Sequence, residues 1–195
     1  KTLSNTNELL GNLDGVYGVK TGFTNGANRC LVTAVKRNQL DIICIVLGAD
    51  TKKDRTKDSI ELIEYVFQNF EPVNIKEKIN EEFENWKLCN LSSFHIEKGT
   101  SNNIELQLDD LSYDFLPIHR NYIDSISIYI YCDNTLEAPI ASNSIIGYLT
   151  ISINNQTVIH LNIKTTNTIA KKTSLDFFNE IFSNYIYHLE SIFFN

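Results

Sequence analysis

The chain of 195 residues is 43% hydrophobic and 21% charged, an ordinary globular composition with enough length for one large or two small cores. A formal net charge of -7 argues against a nucleic-acid partner. Met 0 and a first residue of Lys1 predict a processed form or a piece of something longer, with no signal peptide or N-terminal anchor in view.

Gly11 to Gly15 carries turn chemistry, including Asp14-Gly15, and the apolar residues after it lead into Lys20-Thr21-Gly22 as a strand. A bare Lys-Thr-Gly is a weak signal that counts only where its structural context agrees. Asn25-Gly26 predicts a hairpin, because both residues tolerate positive φ, and the next strand is expected over 29–36. A turn at Arg37-Asn38-Gln39 returns the chain into a strand over 40–47. Its unbroken run Ile42 to Leu47 predicts cover on both faces. From 54 to 70 the period turns helical: Ile60, Ile63, Val66, Phe67 and Phe70 share a stripe, while Asp58, Glu61, Glu64 and Gln68 face away.

Arg55 stands near the start of this helix, where the macrodipole favours acids. Read residue by residue, Asp54, Asp58 and nearby acids accommodate it, and Lys52, Lys53, Arg55 and Lys57 form a solvated helix start.

Glu71-Pro72 marks a boundary, since proline cannot continue a helix. From Ile75 to about Ile169 the dominant period is two. Ile104, Leu106 and Leu108 alternate with polar residues, as do Ile126, Ile128 and Ile130, then Leu149, Ile151 and Ile153, then Ile159, Leu161 and Ile163, with Asn154-Asn155 as a hairpin turn. Strands with one apolar face must pack those faces together, so a small antiparallel sandwich is expected, with Trp86 in a core rather than stacked on a ligand. Helical spacing returns from Thr173 to Asn195. Phe178, Ile181, Phe182, Tyr185, Ile186, Leu189, Ile192 and Phe193 lie in one sector, and Asp176, Asn179, Glu180, Ser183, Asn184 and Glu190 in the other. The acids argue against a bilayer span. An interfacial anchor and a helix docked on the sandwich or on a partner both fit the pattern.

Cys30, Cys44, Cys89 and Cys132 make no Cys-x-x-Cys pair and have mostly apolar neighbours, which predicts buried free thiols. His95, His119, His160 and His188 lack ligand spacing, so neither a metal nor a cofactor is expected.

Asn5-Thr6-Asn7-Glu8-Leu9-Leu10-Gly11, then Gly15 to Thr24 around Lys20-Thr21-Gly22, then Val46-Leu47-Gly48 and Arg55, together resemble the penicillin-recognising serine enzymes. Within these they resemble the serine-type D-alanyl-D-alanine carboxypeptidases, low-molecular-mass penicillin-binding proteins of cell-wall metabolism. The likeness is specific over about 5 to 75, and Ala138-Pro139-Ile140 with Gly147-Tyr148-Leu149 resemble the family's β-rich C-terminal domain more loosely. The Asn-, Ile- and Lys-heavy composition points to a Gram-positive, clostridial-type source.

The resemblance implies an α+β fold: the C-terminal part of a β-lactamase/transpeptidase-like domain over 1–73, a small β-rich sandwich domain over 74–170, and an amphipathic helix over 171–195 that is the family's membrane anchor. The family's site is built from Ser-x-x-Lys, Ser-x-Asn and Lys-Thr-Gly in chain order, and only the third is here. Ser101-Asn102-Asn103 and Ser152-Ile153-Asn154 fit the second motif by chance, since both follow Lys20-Thr21-Gly22. By resemblance, Lys20 supplies positive charge, and Thr21 offers a hydroxyl to the terminal carboxylate of a peptidoglycan stem peptide ending in D-Ala-D-Ala. Gly22 permits close approach, the backbone N–H of Phe23 is an oxyanion donor, and Arg55 reads the free carboxylate. The implied enzyme works at the extracytoplasmic face of the membrane and is acylated by β-lactams at full length. The stretch at hand, lacking the nucleophile, is expected to be inactive. The alternative is a non-catalytic membrane-tethering or interaction module in which the motif strand is a relic.

Overall fold

The computed structural model describes residues 4–193, without the side chains of 184 and 187–193. In chain order the elements are β1 (Val16–Thr24), β2 (Asn28–Arg37), β3 (Leu40–Ala49), α1 (Lys52–Asn69), β4 (Phe70–Asn74) and α2 (Ile75–Asn90). They continue with β5 (His95–Glu97), β6 (Leu106–Leu108), β7 (Phe115–His119), β8 (Ser127–Cys132), β9 (Thr135–Glu137), β10 (Ile145–Ile153), β11 (Gln156–Thr165) and α3 (Ser174–Phe193). They form two compact units, Lys1–Lys76 with Tyr113–Asp124, and Glu77–Ser112 with Ser125–Asn195.

The first unit is organised by the antiparallel sheet β1-β2-β3. Its turns follow local chemistry. Thr24 pairs with Asn28 across the hairpin predicted at Asn25-Gly26, although the positive φ, 50°, falls on Asn28 rather than on either of those two residues; Asn38 and Gln39 both take positive φ, of 45° and 68°, so that Arg37 pairs with Leu40. Leu31 pairs with Val46 and Thr33 with Cys44, which brings these residues to one face. That face packs on α1, where Ile63 is fully buried with Leu9, Leu31, Val35, Cys44 and Val46. The helix starts at an N-cap in which Thr51 Oγ1 accepts from Asp54 N at 3.1 Å. It ends at Asn69, and Pro72 lies in β4, opposite Pro117 of β7.

The apolar run of β3 departs from expectation. Ile43, Ile45 and Leu47 are 67%, 56% and 71% exposed, because they alternate away from α1 and nothing among the described residues covers the other face. A continuous apolar run therefore marks a strand whose two faces are both apolar, and does not by itself show that both are covered.

The second unit has a four-stranded sheet in the order β6-β11-β10-β8 and a parallel pair, β5 with β9. Asn154 and Asn155, with φ of 50° and 62°, turn β10 into β11 as their chemistry predicts. Leu149, Ile151 and Ile163 are fully buried. The chief correction is α2, which occupies 75–90, where a period of two was expected. Ile75, Ile79 and Phe83 recur every fourth residue and are buried, which is a helical stripe. The core therefore joins Phe83 of α2 to Ile96 of β5, Leu106 of β6 and Ile163 of β11, and the layer facing the sheet is mixed helix and strand rather than a second sheet alone. Trp86 packs against this cluster, stacked on Phe83 at 6.2 Å and edge-on to Phe94 at 6.4 Å.

The cysteines are free, but only Cys44 is buried; Cys89 on α2 is exposed and Cys30 and Cys132 are half-buried. In α3, Leu175, Phe178, Ile181, Phe182 and Tyr185 are exposed. The expected apolar sector also includes Leu189, Ile192 and Phe193, and the polar one Asn184 and Glu190, whose side chains lie outside the described residues. Among the described residues no helix is long and apolar enough to cross a membrane, and no cluster of His, Cys, Asp or Glu could hold a metal ion.

Candidate functional site

The edge strand β1 carries Lys20, Thr21, Gly22 and Phe23, and α1 carries Arg55 one turn from its start. These five predicted residues line a single groove together with Thr6, Glu8, Arg29 and Lys52. Four of the lining residues, Lys20, Arg29, Lys52 and Arg55, are cationic and only Glu8 is acidic, in a chain whose net charge is -7. Such a concentration of one sign in a concave site draws anions.

The segment before β1 holds the motif strand in place. Asn5 Nδ2 donates to the carbonyl of Val19 at 2.9 Å, and Asn7 Nδ2 donates to that of Gly18 at 3.0 Å. Asn7 is almost wholly buried, and its Oδ1 accepts from Leu9 N at 3.1 Å, so both ends of its amide are satisfied. Between the two asparagines, Thr6 Oγ1 shares a 2.5 Å hydrogen bond with Thr21 Oγ1. The threonine hydroxyl of the motif is thus oriented by a residue fifteen positions earlier. Residue by residue, the sequence assigns Asn5, Thr6, Asn7 and Glu8 no role. Their signal was the Asn-x-Asn spacing ahead of a turn, a pattern in which short amides reach neighbouring backbone.

Lys20 Nζ donates to the carbonyl of Thr21 at 2.9 Å and lies 3.5 Å from its hydroxyl. A Cβ at Gly22 would meet only Cys30 Cβ at 3.7 Å, an ordinary contact. Nothing among the described residues therefore demands glycine there. The Phe23 ring is exposed, and the Arg29 guanidinium sits 4.9 Å from its centroid.

Arg55 is only 4% exposed, and its Nε is buried without a hydrogen-bond partner among the described residues. Its ion-pair partner is Glu8, with Nη2 3.7 Å from Oε2, rather than the neighbouring Asp54, which is engaged with Thr51 at 2.6 Å. A nearly buried guanidinium whose donors are incompletely used keeps hydrogen-bonding capacity that an anion could fill.

Comparison with known proteins points to one family. A family model described as D-alanyl-D-alanine carboxypeptidase matches residues 1–51. The D-alanyl-D-alanine carboxypeptidase DacF of Bacillus subtilis is 38% identical over 69 residues, covering 35% of this chain and 18% of that protein. The enzyme DacA of Escherichia coli is 30% identical over 155 residues, covering 79% of this chain and 36% of that one. Penicillin binding protein 5 from Haemophilus influenzae has a similar fold, with a TM-score of 0.57 at 21% identity over 84% of this chain and 45% of that one. The chain thus spans well under half the length of the curated relatives it matches. Relatives from Bacillus and Escherichia alike leave the expected Gram-positive, clostridial source without support.

Proposed function

Since this chain belongs to the D-alanyl-D-alanine carboxypeptidase family, we propose that its groove is the substrate-holding wall of a serine-type enzyme that removes the terminal D-alanine of peptidoglycan stem peptides through an acyl-enzyme. The observation that carries this reading is the convergence of Lys20, Thr21 and Arg55 on one cationic groove. A peptide ending in D-Ala-D-Ala presents a free carboxylate, and charge-assisted hydrogen bonds from a hydroxyl-bearing strand and a fixed guanidinium suit it. Phe23 N–H, on the same strand, serves as one oxyanion donor, a contribution of about 3 to 4 kcal/mol in comparable sites.

The reacting half is supplied by sequence beyond these 195 residues, because no Ser-x-x-Lys occurs within them. The apolar residues Ile43, Ile45 and Leu47, open on the sheet face away from α1, suit cover by that half. The whole enzyme acts at the extracytoplasmic face of the membrane and is acylated by β-lactams. Incubation with a fluorescent penicillin tests the division of labour. The full-length protein should label covalently and the 195-residue chain should not. Labelling of the shorter chain would place the nucleophile inside it and overturn the reading.

The exposed Leu175, Phe178, Ile181 and Phe182 of α3 favour a second role, tethering to a membrane surface. Chains with and without residues 173–195 should differ in co-sedimentation with liposomes, and equal binding by both would end this idea.

A further inference from the structure

We propose that Glu8 is a specificity-determining residue of the groove: a carboxylate of the protein's own that occupies Arg55 until the acid of a peptide takes its place. The inference rests on the reading of Arg55 as the carboxylate receptor. Glu8 Oε2 lies 3.7 Å from Arg55 Nη2 and accepts a hydrogen bond from Thr56 Oγ1 at 3.1 Å, so adjacent residues of α1 hold it over the guanidinium.

The two partners differ in freedom. The Arg55 side chain is 5% exposed and that of Glu8 is 51% exposed. Glu8 can therefore swing out to water while Arg55 stays in place. The contact is also incomplete, since 3.7 Å is an ion pair beyond hydrogen-bond reach and Arg55 Nε has no partner among the described residues. Glu8 partly neutralises a buried cation without consuming its fork.

An incoming peptide carboxylate meets two opposed effects, attraction by Arg55 and repulsion by the one acid lining the groove. Binding is an exchange of one carboxylate for another. The exchange lowers affinity for acids in general and favours ligands with enough further contacts, along Lys20 and Thr21, to displace Glu8. A ligand whose end is neutral has no such exchange to make.

Kinetics of the full-length enzyme on a peptide ending in D-Ala-D-Ala, and on the same peptide with a terminal carboxamide, provide the test. Glu8→Gln preserves shape and removes charge. It should lower KM for the acid peptide about three- to tenfold with a smaller change in kcat, and leave the carboxamide peptide unchanged. Thr56→Val, which removes the hydrogen bond to Glu8 from outside the groove lining, should act in the same direction more weakly. In an Arg55→Gln background the Glu8→Gln effect should shrink to what direct repulsion of the peptide by Glu8 leaves, as a pairwise cycle would show. An unchanged or raised KM for the acid peptide in Glu8→Gln overturns the inference, and a raised KM would make Glu8 a support of Arg55 instead of its competitor. The underlying reading fails separately: if Arg55→Gln alone leaves KM for the acid peptide unchanged, Arg55 is no carboxylate receptor.

Discussion

Replacing Lys20 by alanine in the full-length enzyme is expected to lower the rate of acylation by a fluorescent penicillin at least about a hundredfold, comparable with the loss of one preorganised charge-stabilising donor. The size follows from its two tasks. Its ammonium contributes to the cationic field of the groove with Arg29, Lys52 and Arg55. It also contacts the Thr21 backbone carbonyl at 2.9 Å and approaches the Thr21 hydroxyl to 3.5 Å, while Thr6 holds that hydroxyl from the other side at 2.5 Å. Alanine removes both the charge and one of the two constraints on the hydroxyl. Stopped-flow or gel-based labelling rates would read the effect, with thermal melting as a control. The side chain is exposed, so little stability should be lost. Acylation within tenfold of wild type would remove Lys20 from the reacting site.

Gly15→Ala should destabilise the first unit by on the order of 3 kcal/mol, through two costs at one position. Gly15 has φ +74°, a conformation disfavoured for alanine, and a Cβ built there would lie 2.4 Å from the backbone carbonyl oxygen of Lys36. The oxygen cannot move cheaply, because Lys36 belongs to β2 and its N–H donates to Gly15 O at 3.0 Å. This contact closes the turn that launches β1, so the same change should misplace Lys20 and Thr21 and weaken penicillin labelling. Chemical denaturation with a global fit would measure the loss. A change below about 0.5 kcal/mol, the range of neutral surface substitutions, would show that the turn relaxes and that the close approach is not needed.

Much of this fold was legible in local chemistry. Asn38-Gln39 and Asn154-Asn155 turn with positive φ, and the strands of the four-stranded sheet follow from alternation. The stripe of Ile60, Ile63 and Phe67 placed α1, and Ile63 is fully buried in the first unit's core. The helix over Ile75–Asn90 carried an equally readable stripe in Ile75, Ile79 and Phe83. It was missed because the long alternation after it dominated the region. The cover of β3 is not legible in the same way. Ile43, Ile45 and Leu47 reveal that a face is apolar, whereas cover depends on what packs there.

The sequence by itself determined the pieces of the site: a Lys-Thr-Gly strand ahead of an Asn-Gly hairpin, and an arginine at an electrostatically odd helix start. Periodicity, turn preference and motif spacing are properties of neighbouring residues, so they survive without the fold. Only the tertiary structure decided what those pieces face. It brought Thr6 to the hydroxyl of Thr21 and Asn7 to the carbonyl of Gly18, and it replaced the adjacent Asp54 with the distant Glu8 as the partner of Arg55. It also buried that arginine, a helix-start cation that local sequence alone places at the surface. The physical reason is that burial and pairing depend on contacts between segments far apart in sequence, which arise when the sheet and α1 close on a common core.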